Sequence, residues 1–317
     1  MKNNVLTPSL ADAMVRVTEV TAIAAAKLAG RGDEKKADAA AVDAMRSAFN
    51  EVEFRGRVVI GEGERDEAPM LFIGEEVGTG KGPEIDIALD PLEGTTLTAK
   101  AMANALAVLA IAPRGGLLHA PDTYMDKIAI GPGYPEGIVS LDASPADNIR
   151  ALAKHSGRPV EDMTVCVLDR PRHQEIIDSL RSAGARISLI TDGDVAGVIA
   201  TTDPATGIDM YVGQGGAPEG VLAAAALKCV GGQMFGRLVF RNEDEKKRAA
   251  RVGITDLGRT YALNELASGE TVFCATGVTK GTLLDGVTHK AGRVLTHTLV
   301  MTSTDGLVRY VRSARKA

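Results

Sequence analysis

Carboxylates in this 317-residue chain gather where glycines follow short apolar runs. Gly61-Glu62-Gly63-Glu64-Arg65-Asp66-Glu67 follows the run Val58–Ile60. Glycines at a strand end let the backbone turn sharply, so the acids emerge together at one edge of a sheet. Acids crowded in this way repel one another unless water or a cation offsets the charge. For this segment alone a solvated turn is the plain structural alternative. The second cluster, Asp90-Pro91-Leu92-Glu93-Gly94-Thr95-Thr96, follows the apolar run Ile85–Leu89. A carboxylate at a strand's carboxyl edge, a turn shaped by Pro and Gly, and two hydroxyls suit a metal-dependent phosphoryl site. Hard divalent ions such as Mg²⁺ take oxygen ligands and usually keep waters and substrate phosphate oxygens as well. Asp90 and Glu93 each offer a metal ligand, Thr95 can orient an attacking water, and first-turn amides can receive phosphate. The alternative is an ordinary capped turn, because Asp-Pro starts turns and Thr caps helices. Two acidic clusters together favour the metal site.

Three further segments follow apolar runs in the second half. Arg170-Pro171-Arg172 comes after Thr164–Leu168 and opens a helix. Two guanidiniums at a helix start make a phosphate clamp by fork geometry and helix dipole; otherwise they are two solvated arginines. Asp192-Gly193-Asp194 follows Arg186–Ile190 and suits either helix capping or binding of sugar hydroxyls. Gly213-Gln214-Gly215-Gly216-Ala217-Pro218-Glu219-Gly220 follows Ile208–Val212, exposes backbone amides, and carries Glu219 into a helix. In open α/β sheets ligands sit beyond the carboxyl ends of strands, where all three segments fall.

The elements that must position these groups read in two parts. Ser9 with Asp12 offers an N-cap for a helix along Leu10, Met14, Val17, Ala24 and Leu28, closed by Gly30. A second helix starts near Lys36 with Val42, Met45 and Phe49 on one face. Strands at 58–60, 85–89, 106–111 and 127–130 have no helical period between them, which predicts helices on a largely antiparallel or mixed sheet. After a helix at 147–157, strands and helices alternate through Val230, which predicts a doubly wound, mostly parallel sheet. Later strands are expected at 237–240, 271–275, 293–301 and 307–311. The predicted division is 1–155 and 156–317, with the last strands free to return to the first half.

Composition narrows the function classes. A net charge of −5 argues against a general nucleic-acid binder, and aromatics at 3% with no Trp argue against stacking platforms. Glycine is in excess, at 35 residues or about 11% against an ordinary ~7%. Cys166, Cys229 and Cys274 form no C-x-x-C pair and read as buried, reduced thiols. With no basic-then-apolar leader in Met1–Leu10 and no apolar run of membrane length, the expectation is a soluble, cytoplasmic protein. Gly78-Thr79-Gly80-Lys81-Gly82 lacks the hydroxyl and spacing of a P-loop. Asp192-Gly193-Asp194-Val195-Ala196 narrowly misses D-x-D-x-[TV], which keeps an aspartyl-phosphate mechanism as an alternative. The five histidines form no metalloprotease pattern.

Three stretches carry a resemblance over essentially the whole chain. Gly61 through Leu71, Asp90-Pro91-Leu92-Glu93-Gly94-Thr95-Thr96 and Gly216-Ala217-Pro218-Glu219-Gly220 closely resemble the GlpX-type class II fructose-1,6-bisphosphatases. The Asp-Pro-Leu-Glu-Gly-Thr segment marks the wider lithium-sensitive sugar and inositol phosphatase superfamily; Asp-Glu-Ala-Pro-Met-Leu points to class II. The resemblance implies an α/β sugar-phosphatase fold layered α-β-α-β-α. It implies hydrolysis of the 1-phosphate of fructose 1,6-bisphosphate to fructose 6-phosphate in gluconeogenesis, with Mn²⁺ or Mg²⁺, by a homo-oligomer with no membrane or nucleic-acid partner. By match to the family's motifs, metal ligands are Asp38, Glu62, Asp90, Glu93 and Glu219, and Thr95 is the catalytic hydroxyl. Substrate contacts fall on Glu93, Gly94, Thr95, Tyr124, Arg170, Pro171, Arg172, Asp192, Gly193, Asp194 and Gly216. The expected mechanism is in-line attack by a water that metal and Thr95 orient, with Arg170 and Arg172 on the 6-phosphate. A sugar-phosphate sensor without turnover is the non-enzymatic alternative.

Overall fold

Capping and an apolar stripe start the chain's first helices. The computed structural model describes residues 5–63 and 70–316, and within it α1 spans Pro8–Ala26 and α2 spans Glu34–Phe49. The cap of α1 is Thr7, not Ser9: its hydroxyl accepts from the Leu10 amide, and Pro8 takes the first helical position, where no N–H is needed. Asp33 caps α2 by accepting from the Lys36 amide at 3.0 Å. Met14, Val17, Val42, Met45 and Phe49 bury against Ile85, Ile87, Leu89, Leu109, Ile111 and Val300. Each such side chain removed from water stabilises by about 1.5–3 kcal/mol.

Backbone contacts divide the chain into two compact units, Met1–His119 with Ala267–Ala317, and Ala120–Leu266. In the first unit the strands are β1 (Arg55–Ile60), β2 (Glu76–Val77), β3 (Glu84–Glu93) and β4 (Leu106–Pro113), with the short helix α3 (Thr95–Ala99) after β3. The second unit holds β5 (Tyr124–Ile130), α4 (Pro145–Ser156), β6 (Thr164–Leu168), α5 (Gln174–Ser182), β7 (Arg186–Ile190), α6 (Asp194–Ile199), β8 (Met210–Gly216), α7 (Ala217–Val230), β9 (Gln233–Val239), α8 (Glu243–Arg251), β10 (Thr260–Ala262) and α9 (Leu263–Leu266). The chain then returns to the first unit with β11 (Val272–Gly277), β12 (Thr288–Lys290), β13 (Arg293–Thr302) and β14 (Leu307–Lys316). Residue 155, where the change of sequence pattern suggests a boundary, lies inside α4; β5 has already crossed into the second sheet.

Both sheets are mixed. The first runs β12-β13-β11-β4-β3-β1-β2, with β14 on the other side of β13. Among the described residues its single parallel pair is β1 with β3. The second runs β10-β9-β5-β8-β6-β7. Among the described residues only β7, β6 and β8 are mutually parallel there, which corrects the expected mostly parallel sheet. The reason is β5, which inserts antiparallel between β8 and β9 and is held by bonds on both sides. Its core gathers Ile128, Ile149, Leu152, Val165, Val167, Leu180 and Met210. No helix among the described residues is long and apolar enough to cross a membrane.

Candidate functional site

In the first unit the acidic residues are positioned by the parallel pair. Ile60 of β1 is in register with Ala88 of β3. Glu62 follows two residues after Ile60 and Asp90 two after Ala88, so both lie toward the same edge of this parallel pair. β3 does not end at Leu89: it runs to Glu93 with an irregularity between Asp90 and Glu93, so Asp90 sits on a bulge and Glu93 is buried. Asp90 Oδ1 accepts from the Leu92 amide at 3.0 Å. Gly94 follows at φ +91°, a left-handed conformation that a side chain resists, and an added Cβ would stand 2.8 Å from Leu97 Cδ1. That turn sets Thr95, half-buried, at the first position of α3.

Glu62 is shaped by a close backbone approach. Its amide donates to the Leu71 carbonyl at 3.0 Å, and a Cβ on the preceding Gly61 would lie 2.0 Å from that oxygen. Burial, and then the charge of Asp38, push the Glu62 carboxyl up to about 8. Burial also raises Asp38, which projects from α2. The fold thus brings Asp38 beside Glu62, a pairing invisible along the chain. Glu64, Arg65, Asp66 and Glu67 of the same acidic run lie outside the described residues.

In the second unit the candidates converge on a buried lysine that sequence reasoning missed. Lys127 on β5 is 1% exposed, ion-paired with Asp194 and donating to the Gly216 carbonyl at 2.8 Å. Asp194 opens α6 after Gly193 at φ +79°, and the Tyr211 hydroxyl donates to it at 3.4 Å. A Cβ at Gly215 would fall 2.0 Å from Asp194 Oδ2 and 3.0 Å from Lys127 Nζ, so only glycine fits there. Glu219, in the first turn of α7, is half-buried; desolvation of its carboxyl and then the Asp194 charge raise its pKa, while Lys127 opposes this. Among the described residues its Oε2 has no hydrogen-bond partner. The available signal for Lys127 was a charged residue opening the apolar run Ile128–Ile130.

The arginine segment forms a tighter turn than expected. Pro171–His173 is a single 3₁₀ turn and α5 starts at Gln174. His173 pins it: Nδ1 donates to the Leu168 carbonyl at 2.7 Å and Nε2 accepts the Gln214 amide at 2.8 Å. Burial lowers the His173 pKa below its ordinary value. Arg172 donates from Nε and Nη2 to the Gln214 carbonyl, 3.2 and 2.7 Å, and lies over the Tyr124 ring at 4.9 Å. Arg170 donates to the Asp169 carbonyl, and Asp192, half-buried, accepts the Gly193 amide at 3.1 Å. The three cysteines are buried and form no disulfide among the described residues; burial and the Asp194 charge push the Cys166 thiol up to about 12.

Among the described residues no three His, Cys, Asp or Glu side chains form a ready-made metal cage. The donor chemistry nonetheless suits a hard cation. Asp38 and Glu62 are half-buried carboxylates that repel one another, and Mg²⁺-type ions bind through one or two carboxylates, completing their shell with water and phosphate.

Comparison with known proteins bears on the whole chain. The family model described as bacterial fructose-1,6-bisphosphatase, glpX-encoded, matches residues 8–315. A D-fructose 1,6-bisphosphatase class 2/sedoheptulose 1,7-bisphosphatase of Synechococcus sp. (strain JA-3-3Ab) is 46% identical over 323 residues, covering 94% of this chain and 93% of that protein. A protein of the same name from Prochlorococcus marinus (strain NATL1A) is 44% identical over 319 residues, covering 96% and 95%.

Proposed function

The chain belongs to the glpX-encoded family of bacterial fructose-1,6-bisphosphatases, and from that premise we propose how its residues hydrolyse fructose 1,6-bisphosphate. It is a phosphoric monoester hydrolase that releases the 1-phosphate and leaves fructose 6-phosphate, a step of gluconeogenesis. The family is metal-dependent, and the oxygen-only donor set favours Mg²⁺ or Mn²⁺. Asp38, Glu62, Asp90, Glu93 and Glu219 are assigned as ligands. Bound cations supply charge neutralisation at the phosphoryl oxygens and make water more acidic. Thr95 orients the attacking water in line with the sugar oxygen, with Glu93 and Gly94 shaping the turn around the reacting phosphate. Arg170, Pro171, Arg172 and Tyr124 hold the 6-phosphate, while Asp192, Gly193, Asp194 and Gly216 line the sugar. Asp192 is the carboxylate left for sugar hydroxyls, because Asp194 is taken up by Lys127. The family's layered sheet arrangement, homo-oligomeric state and cytoplasmic location belong to the same proposal.

The observation that carries this reading is the family match spanning residues 8–315, and the parallel pairing of β1 with β3, whose carboxyl ends lead to Glu62 and Asp90, supports it. The test is phosphate release from a panel of sugar bisphosphates with and without Mn²⁺ or Mg²⁺. Metal-dependent release from fructose 1,6-bisphosphate is expected; binding without release would favour a sensor. The relatives' names also carry sedoheptulose 1,7-bisphosphatase, so that sugar enters the panel as a second proposed substrate.

A further inference from the structure

Tyr124 carries a second guanidinium besides Arg172. The Arg241 Cζ lies 4.5 Å from the centroid of the same ring, closer than the 4.9 Å of Arg172. Arg241 is far from Arg172 in the chain, and strand order explains the meeting. Tyr124 at the start of β5 pairs with Gly216 of β8 on one side and Val239 of β9 on the other, and Arg241 stands just past Val239. The antiparallel insertion of β5 therefore gathers the end of β9 at the edge that holds the arginine turn.

Arg241 is also held. Glu245 on α8 is fully buried; its Oε1 accepts Arg241 Nε at 2.7 Å and Nη2 at 2.5 Å. Its Oε2 accepts the Arg241 amide at 2.7 Å and the Thr123 hydroxyl at 3.0 Å. A fully buried carboxylate satisfied on both oxygens is a costly way to arrange a side chain that meets only solvent. Arg172 and Arg241 each spend Nε and Nη2 on protein acceptors, and among the described residues Nη1 of each has none. Stacking fixes the planes of both groups, while 53% of the Arg241 side chain stays exposed. Planar donors of fixed orientation are what phosphate recognition uses.

We propose that Arg241 completes the clamp on the substrate's non-reacting phosphate and so sets the preference for bisphosphates. The proposal rests on the sugar-bisphosphatase reading above. Its test is steady-state kinetics of full-length Arg241→Ala and Arg241→Lys with Mg²⁺ or Mn²⁺ present, and unfolding midpoints confirming intact folds. For Arg241→Ala, KM for fructose 1,6-bisphosphate should rise about tenfold or more with kcat within about twofold, as expected for loss of binding shared by ground and transition states. Fructose 6-phosphate, which carries only the distal phosphate, should weaken as an inhibitor by a similar factor. Arg241→Lys should recover part of both losses by restoring charge without the fork. Unchanged KM and unchanged fructose 6-phosphate inhibition in Arg241→Ala overturn the assignment, as does a loss confined to kcat. A wild-type enzyme that releases no phosphate from fructose 1,6-bisphosphate overturns the functional reading itself, a distinguishable result.

Discussion

Lys127→Met tests whether the buried network of the second unit is held by one ammonium. The substitution keeps an unbranched side chain of similar length and deletes the charge. In the wild type Lys127 and Asp194 side chains are 1% and 7% exposed, and the same ammonium donates to the Gly216 carbonyl. Its loss leaves the Asp194 carboxylate buried, with the Glu219 carboxyl close enough for each to feel the other's charge. Stranding one member of a buried pair costs about 3–5 kcal/mol. At about 2–4 °C per kcal/mol for units of this size, the midpoint should fall by roughly 6–20 °C. The double variant Lys127→Met/Asp194→Asn removes both charges and leaves an amide able to meet the Tyr211 hydroxyl, so its loss should shrink to about 1–2 kcal/mol. The assay is urea unfolding followed by far-UV circular dichroism, since the chain has no tryptophan for fluorescence. A single variant that loses less than about 1 kcal/mol, or a double variant no more stable than the single, refutes the reasoning.

Three further outcomes follow from the same geometry. Thr95→Ala and Asp90→Asn should fold normally and lose about 10²-fold or more in phosphate release; near-native turnover would shift attention to Asp192 and a covalent phosphoenzyme. Gly94→Ala should cost about 1–3 kcal/mol, since φ is +91° and the new Cβ meets Leu97; an unshifted melting midpoint would contradict that strain. Burial lowers the folded pKa of His173 below its unfolded value near 6.5, so the folded state binds the proton less readily. Its stabilising contribution is intact above about pH 6.5 and is lost as pH falls through the folded value. His173→Gln should flatten that acid-side decline in a pH series of unfolding curves, and an unchanged slope would remove His173 as its source.

Candidate residues were legible where chemistry and local geometry share a few consecutive positions. Asp90, Glu93, Gly94 and Thr95 follow an apolar strand as one contiguous turn, and the structure keeps them at the end of β3 and the start of α3. Asp38 was reached by family motif alone, because nothing in its neighbourhood distinguishes it from other helix-surface acids. Lys127 and Arg241 were not reached at all, since their meaning depends on partners distant in the chain.

By itself, then, the sequence located most of the strands but not where they end, together with the turn glycine Gly94, the family and the class of chemistry. Those features rest on local periodicity and on backbone conformations that few residues tolerate. Only the tertiary structure decided that β1 lies parallel to β3, so that the segments of Glu62 and Asp90 leave the sheet in the same direction, and that β5 runs antiparallel between β8 and β9. Alternation along a strand reports which face is buried but not which strand lies next to it. Neighbours are chosen by burial summed over distant segments, and the Asp38–Glu62 pair, the Lys127 network and the Arg–Tyr–Arg stack exist only once that choice is made.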